Sequence, residues 1–228
     1  MSAAAVQDSL TRSVEDYLKA IYGLSPEGRP ASTSEIAHRL ELSAPSVSAM
    51  VKRLSEHGLL EHVPYKGVQL TPEGRRAALR MVRRHRLIEA YLVGRLGYTW
   101  DTVHEEAERL EHAVSDTLVE RMAEALGYPR ADPHGEPIPA PDGSIEQVSL
   151  TPLADIPPGE EVELRRVEES NPERLRYLAS LGLQPAARLT VVDRQPFEGP
   201  ITIRVAGQER VIGHELGRVL WCSRAEGR

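Results

Sequence analysis

Cysteine and phenylalanine each occur once in the 228 residues, and tryptophan twice. A lone Cys222 excludes an intrachain disulfide and a thiolate metal cluster, so any metal site must be built from oxygen and nitrogen donors. Lysine is scarce as well: Lys19, Lys52 and Lys66 are the only lysines among 28 basic residues. Nowhere does an apolar run approach the roughly 20 residues a membrane-spanning helix needs. The opening MSAAAVQDSLTRS lacks the basic-then-apolar order of a secretory signal. A cytoplasmic location without membrane attachment is expected. Positive charge is also in deficit, at a formal −6, which argues against simple electrostatic adhesion to nucleic acid. The charge is nevertheless uneven. Between Lys52 and Arg86 lie the bases Lys52, Arg53, Lys66, Arg75, Arg76, Arg80, Arg83, Arg84 and Arg86, against Glu56, Glu61 and Glu73, a local surplus inside an acidic chain.

What is present divides into three regions, expected as 1–74, 75–142 and 143–228, and the fold class expected is α+β. From Ser13 to Leu24, apolar Val14, Tyr17, Leu18, Ile21 and Leu24 recur at helical spacing. Two short helices follow, with Ser34 expected to cap the first and Ser43 the second, whose first turn holds Pro45. The segment LLEHVPYKGVQL then alternates around Tyr65-Lys66-Gly67 as a short hairpin, and Thr71-Pro72 opens another helix. Helix, helix-turn-helix, hairpin is the order of a winged helix. A helix from about Pro72 to Leu96 and another from Trp100 to Leu126, with a break near Ser115, lack a complete partner set and point to a dimer interface. Pro129, Pro133, Pro137, Pro139 and Pro141 crowd into a stretch that reads as a passive connector. Beyond Val148 come short β-prone runs with one helix, Pro172 to Leu181, as expected of an SH3-like β-barrel.

Chemistry-bearing residues sit on the two long helices. His104, Glu108 and then Glu111 or His112 recur at spacings of three and four, each one residue past a member of the apolar stripe Val103, Ala107, Leu110. The row serves either as a chelating set or as an ordinary charged helix flank. His85 shares a face with Met81, Ile88 and Leu92, and Glu89 lies one turn on. That is the pattern of a buried histidine with its carboxylate, or of a second metal site. Ser13-x-x-Asp16 reads as a capping box. Two other functions fit parts of this pattern: a winged-helix regulator sensing an organic ligand, and a di-metal carboxylate/histidine oxidase or hydrolase. The second normally needs paired E-x-x-H motifs on four long helices, whereas this chain spends its first 70 or so residues on a helix-turn-helix; no enzymatic activity is expected.

Five blocks together resemble the diphtheria toxin repressor family of iron- and manganese-dependent regulators: S-V-E-D-Y-L-K-A-I-Y from Ser13, E-I-A-H-R-L-x-x-S-A-P-S-V-S from Glu35, R-R-H-R-L-I-E from Arg83, V-H-E-E-A-E-R-L-E-H-x-x-S-D from Val103 and P-H-G-E-P-I-P from Pro133. Their order and spacing cover almost the whole chain. The resemblance implies a winged-helix DNA-binding domain, a helical dimerisation domain and an SH3-like (FeoA-like) C-terminal domain. It implies a primary metal site of Asp16, Glu108, Glu111 and His112, which replaces the capping role for Asp16, and an ancillary site of His85, Glu89 and His104. The region of Asn171 and Glu173 is where the SH3-like domain adds further ligands.

The iron-sensing branch has Met and Cys where Asp16 and Glu108 stand here, so the resemblance implies the manganese branch, with Mn²⁺ first and Fe²⁺ second. Lys19 replaces a glutamate of the best-known manganese sensors. That implies one primary ion and a separate ancillary ion, not a closely spaced pair. A homodimer on a palindromic DNA operator, repressing metal-uptake genes when the ion is plentiful, is implied in turn. The second helix of the helix-turn-helix would enter the major groove. Ser43, Pro45, Ser46 and Ser48 would lie near bases or phosphate, with Arg53 and Lys66 on the backbone.

Overall fold

The structure, a computed structural model, describes residues 11–25 and 28–224. It divides into two compact units, one running to Arg84 and taking in Pro139–Ser144, the other comprising His85–Ile138 and Ile145–Arg228.

In the first unit, α1 (Arg12–Leu24) precedes the helix-turn-helix pair α2 (Thr33–Leu40) and α3 (Ala44–Glu56), and the hairpin β1 (Leu60–Val63) and β2 (Gly67–Leu70) follows. Leu18, Ile21, Ile36, Val47 and Leu54 close its core, so α1 buries the stripe its spacing announced. Two caps differ from the sequence reading. α1 starts at Arg12 with Thr11 as N-cap, so Ser13 lies inside the helix and forms no capping box. Ser32, not Ser34, caps α2: its hydroxyl accepts from the Glu35 amide while the Glu35 carboxylate accepts from the Ser32 amide. Ser43 caps α3 as expected, with Pro45 in the first turn. An isolated bridge from Ala31 to Val68 adds a third partner to the hairpin.

α4 (Pro72–Leu96) begins in the first unit and continues into the second. There it packs with α5 (Val103–Leu110) and α6 (Asp116–Ala125), which together replace the single long helix read from Trp100 to Leu126. The break falls where expected, because the Ser115 side chain accepts from the Leu118 amide and starts α6 afresh. Ile88 and Leu92 of α4 bury against Val103 and Ala107 of α5, and Leu87 against Val119 and Ala123 of α6.

The C-terminal part is a six-stranded antiparallel sheet of β3 (Thr151–Pro152), β4 (Glu161–Val167), β5 (Arg188–Arg194), β6 (Ile201–Val205), β7 (Gln208–Ile212) and β8 (Leu220–Arg224), in the order β3-β8-β4-β5-β6-β7. Bulges between Leu164 and Arg166 and between Val191 and Asp193 bend it around one SH3-like core that includes Leu164, Val191, Ile203 and Cys222. Burial pushes the Cys222 thiol up to about 12, so it packs and does not react. α7 (Pro172–Ser180) interrupts the strands as expected, and α8 (His214–Arg218) was not legible. Among the described residues no helix is long and apolar enough to cross a membrane.

The first turn of α4 lies hard against the start of the hairpin: the Thr71 hydroxyl donates to the Gly58 carbonyl, and a Cβ on Gly74 would stand 2.0 Å from the Leu59 carbonyl oxygen. In an open helix Gly→Ala stabilises by about 1 kcal/mol. Here backbone meets backbone, and Gly74→Ala is expected to destabilise the protein by about 2 kcal/mol. Urea denaturation checks the sign; a stabilised variant would show that the contact yields freely.

Candidate metal centre

Packing of α4 on α5 buries His85, Glu89 and Glu111 and leaves His104 and Glu108 half-buried at the rim. His85 and Glu89 lie one turn apart on α4, His104 and Glu108 at the same spacing on α5, and Glu111 and His112 follow directly after it. Helical geometry persists through Glu111, whose amide donates to the Ala107 carbonyl at 2.9 Å. This brings the Glu111 carboxylate to full burial, at 0% exposure, with Glu89 at 2%. Buried carboxylates cost several kcal/mol unless matched by donors or cations.

His85 stands between them. Its Nδ1 is 2.5 Å from Glu111 Oε2 and its Nε2 is 3.0 Å from Glu89 Oε1. His104 Nδ1 lies 3.1 Å from the same Glu89 oxygen and 3.1 Å from His85 Nε2. Three donor atoms thus converge at mutual separations of 3.0–3.1 Å. That is the spacing of adjacent ligands on one cation with bonds of about 2.1 Å. Glu108 completes a group with His85 and His104 whose ligand atoms lie within 4.8 Å of one another. His112 Nε2 is 3.5 Å from Glu111 Oε1. Asp16 is on α1, in the other unit.

A second group was missed by the sequence reading. Glu89, Asp132 and His134, all buried, also have ligand atoms within 4.8 Å. Asp132 and His134 come from the proline-rich stretch, which is not a passive connector. Asp132 Oδ1 accepts from the amides of His134 (2.8 Å) and Glu136 (3.0 Å), folding residues 132–137 into a tight turn. His134 Nε2 donates to the Trp100 carbonyl at 2.7 Å. Its Nδ1 therefore faces Glu89, 3.8 Å from Oε2, the orientation in which an imidazole ligates. The turn also lies on β4: the Val167 amide donates to the His134 carbonyl at 2.9 Å, and a Cβ on Gly135 (φ +85) would stand 1.9 Å from the Arg165 carbonyl oxygen. A histidine in the block P-H-G-E-P-I-P was the available signal, but no helical period surrounded it. Asn171 caps α7 instead, accepting from the amides of Glu173 and Arg174, so its side-chain oxygen is committed to the helix, and Glu173 is exposed.

Protonation follows from the burial. Burial by itself would raise the Glu89 carboxyl, but hydrogen bonds from His104, His134 and His85 outweigh it and hold it far below the usual carboxylate range. Asp132 is pushed up to about 6 by burial and by the Glu89 charge, against the pull of Arg86 and His134. For His134, burial would lower the imidazole, yet the hydrogen bond and charge of Glu89 and the charge of Asp132 raise it. Imidazole and carboxylate donors enclosed with an excess of negative charge suit a hard divalent cation.

The residues expected at DNA lie on one unit and are solvent-exposed: Ser43, Pro45, Ser46, Ser48 and Arg53 on or beside α3, and Lys66 in the hairpin turn beside Tyr65. The Ser43 hydroxyl is engaged in capping, 3.4 Å from the Ser46 amide and 2.9 Å from the Ser46 hydroxyl.

Residues 9–68 match the family described as the iron dependent repressor N-terminal DNA binding domain, 71–140 the iron dependent repressor metal binding and dimerisation domain, and 151–224 the FeoA domain. The iron-dependent repressor IdeR of Mycobacterium leprae is 34% identical over 93% of this chain and 97% of its own. The diphtheria toxin repressor of Corynebacterium glutamicum is 31% identical over 96% and 99%. Among solved structures, a manganese-dependent transcriptional repressor in complex with manganese is 40% identical, with a TM-score of 0.85 over 92% of this chain and 99% of that one. ScaR with bound Cd²⁺ is 35% identical, with a TM-score of 0.79 over the same shares.

A cation taken up by Glu89, Asp132 and His134 must displace protons from the last two. Because both titrate above their ordinary values, affinity is expected to fall as the pH drops from about 7.5 to about 5.5. Calorimetric Mn²⁺ titrations in buffers of different ionisation enthalpy measure both the loss and the protons released. A pH-independent affinity without proton release would remove Asp132 and His134 from the set.

Proposed function

The chain belongs to the iron-dependent repressor family and is a metal-responsive, DNA-binding regulator of transcription, and from that premise we propose that its effector is Mn²⁺ and that it represses metal-uptake genes as a cytoplasmic homodimer on duplex operator DNA. The observation that carries the metal assignment is the donor set. No thiolate or thioether is present among the proposed ligands, Glu89 and Glu111 are closed off from water, and oxygen and imidazole donors suit Mn²⁺. Fe²⁺, which binds such donors at least as tightly, is the second effector. Which ion acts in a cell depends on geometry and supply more than on affinity. The neighbour that is 40% identical is described as manganese-dependent, in support of the same reading here.

We assign Glu108, Glu111 and His112 to the primary set, with Asp16 added by the family resemblance. His85 and His104 stand beside Glu108, and Glu89 with Asp132 and His134 forms a further set. A divalent cation, when bound, supplies the positive charge these carboxylates lack. The response to metal is a population shift between forms that bind DNA weakly and strongly, and not a new fold. Tighter cation binding by the DNA-competent form, by a few kcal/mol, is sufficient.

On the DNA side, Ser46 and Ser48 offer short, exposed hydroxyls from α3 to the major groove, while Arg53 and Lys66 reach phosphate. Such side chains discriminate bases weakly, so the operator is read substantially through DNA shape.

Metal-stripped protein is expected to bind operator DNA weakly and to gain affinity by about tenfold or more with Mn²⁺. Glu108→Ala is expected to abolish that gain while leaving the thermal transition of the metal-free protein within a few degrees of wild type. Electrophoretic mobility shifts with and without chelator, on fragments isolated by binding selection, decide it. Operator binding indifferent to both metal and chelator would sink the reading.

A further inference from the structure

Arg86 is a guanidinium placed beside a group of cation ligands, where electrostatics alone makes it unfavourable. It precedes Glu89 by three residues on α4 and so shares its face. Its Nη1 donates to the Pro137 carbonyl at 2.6 Å and its Nη2 to Glu136 Oε2 at 2.9 Å, while its Nε stands 3.7 Å from Asp132 Oδ2. Glu136 in turn lies 3.6 Å from the Nε of Arg166 on β4. One side chain of the helix that carries Glu89 therefore grips three points of the turn that carries Asp132 and His134.

We propose that Arg86 is the positioning residue of the Glu89–Asp132–His134 centre, its planar fork fixing the 132–137 turn against α4 so that ligands from a helix and from an irregular loop meet. The inference rests on the reading that this trio holds a divalent cation. The turn is bonded within itself, the Asp132 amide donating to the Glu136 carbonyl and the Gly135 amide to the Asp132 carbonyl, and it is bonded to β4 through the His134 carbonyl. None of those bonds reaches α4, which carries Glu89; the Arg86 fork does, with a fixed planar geometry that an ammonium does not provide. Arg86 acts on the cation only through Asp132, His134 and Glu136.

Two explanations of Arg86 predict opposite signs. A cation that merely sits nearby repels Mn²⁺, so its removal tightens binding. A positioning residue, when lost, frees the turn, and outer-shell losses of this kind weaken metal binding by about tenfold or more. The test is Mn²⁺ calorimetry on full-length, metal-stripped protein with Arg86→Met, Arg86→Lys and Asp132→Asn, together with Co²⁺ absorption spectra and hydrogen exchange of the metal-free forms. Arg86→Met is expected to weaken the Asp132-dependent site about tenfold. It should also alter the Co²⁺ ligand-field bands and speed exchange at the amides of His134 and Glu136. Arg86→Lys, which keeps the charge and loses the fork, should recover only part of the affinity.

Wild-type affinity or tighter in Arg86→Met, with Asp132→Asn still losing the site, overturns the role of Arg86 and leaves the metal reading standing. Asp132→Asn that binds as many ions, as tightly, as wild type overturns the metal reading of this trio, and the inference with it. Should Arg86→Met fail to fold, Glu136→Gln removes the carboxylate held by the fork without touching a proposed ligand. Weaker Mn²⁺ binding is then the supporting result, and unchanged binding the overturning one.

Discussion

Two carboxylates withdrawn from water, Glu89 and Glu111, face opposite nitrogens of the His85 imidazole, and this arrangement constrains everything around it. Neither acid could be buried without a nearby partner, because the desolvation of a carboxylate is repaid only by donors or positive charge. Packing of Ile88 and Leu92 on Val103 and Ala107 provides the approach that makes the pairing geometric, so apolar burial positions the polar centre. His104, on α5, then brings a second ring to the same Glu89 oxygen. Carboxylates and imidazoles gathered in this way are the donor types that suit the divalent cation proposed above.

Around that cluster, the 132–137 turn joins elements that packing alone would leave independent. Asp132 spends one oxygen folding the turn and leaves the other toward Arg86. His134 is fixed by the Trp100 carbonyl below and bonded to β4 through its own carbonyl. Trp100 belongs to the core of the C-terminal sheet, and its indole stacks on His134 with ring centroids 5.8 Å apart. The sheet domain is thus tied to the candidate ligands by backbone contacts and by one stacked ring, within a single compact unit. The close approach of Gly135 to the Arg165 carbonyl leaves no room for a side chain at that position.

The surface proposed to meet DNA is built differently. α3 exposes small hydroxyls and a single arginine on its outer face, and its N-terminal serines are partly committed to capping. Short hydroxyls discriminate bases weakly, so a surface of this kind favours recognition through a few local cations and DNA shape.

Periodicity, caps and composition by themselves determined a good deal. The winged-helix order, the break at Ser115, the strand-rich end, the alignment of His85 with Glu89 and the row of His104 and Glu108 at the rim of the core were legible because regular elements place side chains at fixed angular intervals, although spacing left both open between structural and metal-binding roles. Asp16 was the exception: its spacing read as a helix cap, and only the resemblance of whole blocks made it a candidate ligand. The location of the first caps slipped by two residues, since Ser32 and Ser34 are equivalent in type and only the reach of Glu35 separates them. Tertiary structure alone decided that Glu89 faces two groups at once, and that Asp132 and His134 are candidate ligands at all. An irregular, proline-rich turn carries no period to read, and its side chains acquire a direction only when Arg86, Trp100 and β4 hold the backbone in place.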